Sequence, residues 1–103
     1  MMNSNNEFGL ITGASLGIGR EIAKELSRRN INTLLVALDT PDLKEAENYI
    51  SNKYSTRVYS LGVDLTDPSA AGIIYNWCMK NNFHVKILVN NAGFGESGYF
   101  EIL

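Results

Sequence analysis

Three glycines, Gly13, Gly17 and Gly19, stand in the stretch Thr12-Gly13-Ala14-Ser15-Leu16-Gly17-Ile18-Gly19. The apolar segment Phe8 to Ile11 precedes them, and an amphipathic helical pattern follows. A glycine-rich turn from strand to helix can hold a pyrophosphate, because the N–H groups at a helix N-terminus are unpaired and carry the positive end of the helix dipole. Each glycine has its own task in such a turn. Gly13 bends the strand sharply through a positive φ. Gly17 leaves room for phosphate to reach the backbone, and Gly19 lets the helix lie close to the strand. The amides from Ser15 to Ile18 are expected to face the phosphates. A second motif, Asn90-Asn91-Ala92-Gly93, directly follows the apolar strand Ile87 to Val89. Together the two motifs point to a nicotinamide dinucleotide site. A plain strand-to-helix turn also uses glycine, but the strand before, the helix after and the spacing favour the phosphate site.

These residues need elements to position them, and the chain alternates strand and helix signals. Phe8 to Thr12 reads as a strand. A helix follows over about Gly17 to Arg29, with Ile18, Ile22, Ala23 and Leu26 at helical spacing and Asn30 as a left-handed cap. Thr33 to Leu38 reads as a strand buried on both faces. Thr40-Pro41-Asp42 signals a helix start, with Leu43, Ala46 and Ile50 as its inward stripe. Arg57 to Val63 is the third strand. Asp67-Pro68 signals the third helix, with Ile73, Ile74, Trp77 and Cys78 as its apolar face. Lys86 to Asn90 is the fourth strand. The fold class is therefore α/β, a parallel sheet with right-handed crossovers. It is expected to be a Rossmann-type doubly wound sheet, truncated after the fourth strand, with order 3-2-1-4. In that order the first two helices cover one face and the third lies nearly alone on the other. The fourth strand keeps an open outer edge. Self-association through that edge or face is the expected consequence.

Composition narrows the classes. The 103 residues are 45% hydrophobic, enough for the core of one domain. A net charge of -2 lacks the basic footprint of a nucleic-acid binder. The longest apolar run, Leu34 to Leu38, is too short to cross a membrane. Residues 1–6 read as a disordered lead-in rather than a secretory signal, and residues 7–103 as a partial NAD(P)-binding domain. The single cysteine, Cys78, favours a reducing, cytoplasmic setting.

The pattern Thr-Gly-x-x-x-Gly-Ile-Gly, Asp64 in Val63-Asp64-Leu65-Thr66, and Asn90-Asn91-Ala92-Gly93 resemble the short-chain dehydrogenase/reductase family in order and spacing along essentially the whole chain. The resemblance implies that Gly13, Ser15, Leu16 and Ile18 contact the cofactor's ribose and phosphates. It implies that Asp64 and Leu65 read the adenine edge, and that Asn91, Ala92 and Gly93 line the adenosine side and support the sheet. The alternative for Asp64 is a strand-end turn residue, and for Asn90 and Asn91 a pair of turn asparagines. An acid about twenty residues after the glycine turn would bind the adenosine 2′-hydroxyl and repel a 2′-phosphate. Asp39 is at that distance, so NAD is favoured over NADP. The alternative for Asp39 is a solvated loop acid just past the pocket. Relatives that prefer NADP often carry arginine where this chain has Leu16 and Leu38.

The family's reaction is hydride transfer between nicotinamide and a carbonyl or alcohol carbon. Its serine and Tyr-x-x-x-Lys belong downstream of the Asn-Asn-Ala-Gly motif, so these residues by themselves are expected to lack turnover. Tyr49-Ile50-Ser51-Asn52-Lys53 matches Tyr-x-x-x-Lys by spacing, but it precedes Asp64 and reads as a chance match on an amphipathic helix. Tyr49 is expected on the inner edge of that helix and Lys53 in solvent. His84 has no visible ligand set. Cys78 beside Trp77 reads as a small core residue. Phe94, Tyr99 and Phe100 read as pocket wall or core. Two other functional classes stay open: a non-catalytic nucleotide-binding or regulatory module, and a structural fragment that assembles with a partner chain.

Overall fold

The computed structural model describes residues 6–91. Its elements are β1 (Glu7–Thr12), α1 (Gly17–Arg28), β2 (Asn32–Ala37), α2 (Pro41–Lys53), β3 (Val58–Gly62), α3 (Ala70–Lys80) and β4 (His84–Asn90). The sheet order is β3-β2-β1-β4, with every neighbouring pair parallel. β2 is buried at each of its positions, as an unbroken apolar run inside a parallel sheet demands. Side chains alternate across the strands and divide the core in two. Ile11, Leu35 and Ala37 join Ala23 of α1 and Leu43, Ala46 and Ile50 of α2 on one face. Phe8, Leu10, Leu34 and Val36 join Ala70, Ile74 and Cys78 of α3 on the other. The third helix therefore lies opposite the first two, as the strand order requires.

The aromatic residues anchor the α3 face. Phe83 lies 4.7 Å from Phe8, 5.0 Å from Tyr59 and 5.3 Å from Trp77, ring centre to ring centre. Burial pushes the Cys78 thiol up to about 11, so it stays protonated as a small core residue.

Helix ends follow local chemistry. After α1, Asn30 takes φ 68°. Its N–H donates to Ser27 O at 2.9 Å, and Ile31 N–H donates to Leu26 O at 3.0 Å. That is a Schellman cap with asparagine as the left-handed residue. Asn82 repeats the device after α3, with φ 57° and with Asn82 and Phe83 N–H donating to Met79 and Cys78 carbonyls. Near the end of α1, hydrogen bonds from Arg28 and then Arg29 lower the Glu25 carboxyl to about 2.

Several boundaries differ from the sequence expectation. α3 starts at Ala70, not at Asp67-Pro68. Asp67 instead closes a turn: its carboxylate accepts from Ser69 N–H at 2.8 Å and from the Ser69 hydroxyl at 2.7 Å. Ile73 points to solvent, and Ala70 takes its place on the buried stripe. β2 ends at Ala37, which leaves Leu38 beyond the sheet. β4 starts two residues early, because it alternates exposed His84 and Lys86 with Val85 and Ile87. Ile18 is 71% exposed rather than part of the α1 core stripe. At the start of β4, His84 N–H donates to Asn6 O at 2.7 Å. No helix among the described residues is long and apolar enough to cross a membrane.

Candidate functional site

The ends of β1, β2 and β3 meet at one edge of the sheet, and there the chain leaves a crevice. Its volume is about 260 Å³, and its lining is Gly13, Ser15, Ala37, Leu38, Asp64, Leu65 and Thr66. Open α/β sheets bind ligands beyond the carboxyl ends of their strands, where the strand order reverses. In this sheet the reversal falls at β1, between β2 and β4.

The glycine turn is held rigidly on one side and left open on the other. Gly13 takes φ 65° and its N–H donates to Val36 O at 2.7 Å, which ties the turn to β2. Gly17 takes φ 61°, and among the described residues nothing is packed within 4 Å of where a side chain would start. Gly19 has no such space: a Cβ there would overlap the Gly13 carbonyl oxygen and reach within 2.8 Å of Asn91 Nδ2. The helix start itself is bare. Leu16 occupies the cap position of α1 with no side-chain cap, and no acid stands in the first turn. By contrast, α2 has Pro41 and Asp42 at its start, and the turn before α3 has the Asp67 carboxylate. Among the described residues the α1 amides are therefore the uncompensated positive dipole end at this edge, which fits an anionic group. Leu16 and Ile18 stand out into solvent beside it, at 56% and 71% exposure.

The Asn-Asn motif braces this turn. Thr12 pairs in register with Asn90, and its hydroxyl donates to Asn90 Oδ1 at 2.9 Å. Asn91 Nδ2 donates to Gly13 O at 3.4 Å. β4 thus clamps the bend from the side opposite β2. The Thr12–Asn90 bond was not anticipated from sequence, although polar residues at the ends of two adjoining strands are a visible signal. Ala92 and Gly93 lie outside the described residues.

Asp64 is exposed on the crevice wall. Its Oδ1 accepts from the Thr66 hydroxyl at 2.7 Å and from Thr66 N–H at 3.0 Å. Those two bonds hold its carboxyl below the usual aspartate value, the hydroxyl contributing most. A lowered folded-state pKa stabilises the turn above the unfolded value, and this contribution is lost as pH falls through the folded one. Ligand affinity at this crevice should therefore fall in acid together with the Asp64–Thr66 turn. The check is a titration repeated from neutral pH into the carboxylate range. Asp64→Asn, which no longer ionises, should flatten the profile.

Not every candidate reaches the crevice. Asp39 is exposed and does not line it; it packs over Gly62 at the end of β3. Tyr49 is half-exposed on α2, with Lys24 Nζ 5.1 Å, Arg20 Cζ 5.7 Å and Lys53 Nζ 5.8 Å from its ring centre. The Tyr49/Lys53 pair thus bridges α2 to α1, away from the crevice lining. The His84 ring lies 3.3 Å from Asn82 Oδ1, and the described residues hold no cluster of three metal-ligating side chains.

The family model for short chain dehydrogenases matches residues 8–103. This chain belongs to that family. Among its relatives, the very-long-chain 3-oxoacyl-CoA reductase of Vanderwaltozyma polyspora is 33% identical over 97 residues, 92% of this chain and 27% of the yeast protein. Among solved structures, L-sorbose reductase from Gluconobacter frateurii, complexed with NADPH and L-sorbose, superposes with a TM-score of 0.80 at 32% identity, over 91% of this chain and 35% of that one. A short-chain dehydrogenase from Sphingobium yanoikuyae in complex with NADPH gives 0.75 at 33% identity, over 84% of this chain and 34% of that one. The chain thus spans about a quarter to a third of the length of these relatives.

Proposed function

We propose that the crevice at the ends of β1 to β3 holds the adenosine and pyrophosphate of a nicotinamide dinucleotide. On this reading, the chain supplies the cofactor half of an oxidoreductase acting on a carbonyl or alcohol substrate. The observation that carries it is the bare N-terminus of α1 beside the open space at Gly17. The bound dinucleotide would supply or accept the hydride. The residues of this chain bind and orient it. The Ser15 to Ile18 amides take the phosphates, Gly13 and Ser15 border the ribose, and Asp64 and Leu65 meet the adenine edge. Asn91, braced on Gly13, keeps the turn in shape. Leu16 and Ile18 screen the phosphates from water. The only Tyr-x-x-x-Lys spacing in these residues is Tyr49/Lys53, so they bind cofactor without turning it over.

NAD is the favoured cofactor. Among the described residues no lysine or arginine lines the crevice, Asp64 does, and Asp39 stands just outside. A 2′-phosphate would meet negative charge there. Calorimetric titration with NAD⁺ and NADP⁺ tests both parts. Saturable binding with the lower Kd for NAD⁺ is expected. A folded chain that takes up neither dinucleotide would overturn the assignment.

Among the described residues β4 is an edge strand, and with Tyr75 and Met79 exposed on nearby α3 it favours self-association; the single cysteine, Cys78, favours a reducing, cytoplasmic setting. Light scattering should show species larger than an 11.4 kDa monomer. A monodisperse monomer that binds no hydrophobic dye would count against it.

A further inference from the structure

We propose that Gly62, on β3, is the positioning residue that fixes cofactor preference, because it seats Asp39 beside the crevice. The proposal rests on the dinucleotide reading above. Asp39 is the middle residue of a tight turn in which Thr40 N–H donates to Leu38 O at 2.8 Å. Its φ is not positive, so this is the inverse γ-turn common at strand ends. The turn lies directly on Gly62: a methyl group there would stand 2.8 Å from Asp39 Cγ and 2.9 Å from Asp39 Cα. Those distances include main chain, so a rotamer change cannot relieve the overlap. Gly62 pairs in register with Ala37, and Val63 N–H donates to Ala37 O at 2.8 Å, so the seat and the strand it serves move as one unit.

Gly62 is exposed, takes no positive φ and needs no glycine for its own backbone. What its missing side chain provides is the room for Asp39. With that room, the carboxylate is held over Gly62 at the end of β3, one residue after Leu38 and with Gly62 two residues before Asp64 of the crevice wall. There it repels a 2′-phosphate through space without occupying the pocket. A side chain at Gly62 would lift the turn and carry the charge away.

The test is a double-mutant cycle in the full chain, read as the ratio of the NADP⁺ and NAD⁺ dissociation constants. Asp39→Asn removes the charge and should lower the ratio by about threefold or more, the size of a screened charge–charge effect at this range. Gly62→Ala should lower it by a similar factor. In the Asp39→Asn background, Gly62→Ala should leave the ratio unchanged, even where it weakens both ligands equally. A merely structural role for Gly62 moves both constants together and not their ratio. An unchanged ratio in Gly62→Ala, or an equal drop in both backgrounds, overturns the proposal. So does an unchanged ratio in Asp39→Asn, an exposed substitution that does not depend on Gly62→Ala folding. If the parent chain binds neither dinucleotide, the crevice assignment fails and this proposal goes with it.

Discussion

Gly19→Ala should abolish dinucleotide binding and lower the melting temperature, whereas Gly17→Ala should weaken binding with a smaller loss of stability. The difference lies in what each new methyl group meets. At Gly19 it would overlap the Gly13 carbonyl oxygen and press on Asn91 Nδ2, so the bend after β1 must open. Overpacking of this kind costs about 1–3 kcal/mol. At about 2 kcal/mol, a domain of this size melts roughly 10 °C lower. The opened bend also misaims the α1 amides, and each lost hydrogen bond to a charged phosphate is worth about 1.5–3 kcal/mol, or about ten- to a hundredfold in Kd. At Gly17 the methyl group meets no packed neighbour among the described residues. It costs only the strain of a positive φ, about 1–2 kcal/mol, but it projects into the space assigned to the ligand. Thermal melts followed by circular dichroism, run beside titrations of both variants, separate the two effects. Native melting and native affinity in Gly19→Ala would remove the basis for a braced phosphate turn.

That contrast also shows which features are legible in a sequence. Gly13 and Asn30 announce themselves, because few residues tolerate positive φ and both stand at element ends. The buried β2 is legible because Leu34 to Ala37 offers no polar face. Other features depend on register, which residue counting does not supply. Ile18 fits the helical stripe by spacing, but in the first turn of α1 it is Gly19 that lies against the bend after β1, and Ile18 faces solvent. Asp39 lies at the right count from Gly19, but β2 ends at Ala37 and the turn carries Asp39 onto Gly62. Asp67-Pro68 has the residues of a helix start, yet the aspartate spends its carboxylate on Ser69 and the helix waits until Ala70. The clamp from Asn90 and Asn91 needs β4 beside β1, a pairing of residues 78 positions apart that no local pattern reveals.

Leu38→Arg should convert the crevice to one that prefers NADP⁺. Leu38 is the first residue past β2, lines the crevice and is 56% exposed, so exchanging it disturbs no core contact. An arginine there would meet a 2′-phosphate with paired N–H donors, a geometry that suits the guanidinium better than an ammonium. One charge-assisted contact of about 1.5–3 kcal/mol raises NADP⁺ affinity by about ten- to a hundredfold. NAD⁺ has no phosphate at that position and should change little. Because the new pair is exposed, the gain should shrink as salt rises from low ionic strength. Leu38→Lys should give a smaller gain, since a point charge cannot make the same paired contact. Titrations of all three chains with both dinucleotides at two salt concentrations measure this directly. If Leu38→Arg binds NADP⁺ no better than the parent, the 2′ end of the adenosine does not lie over the end of β2, and the adenine cannot sit against Asp64 and Leu65 as assigned.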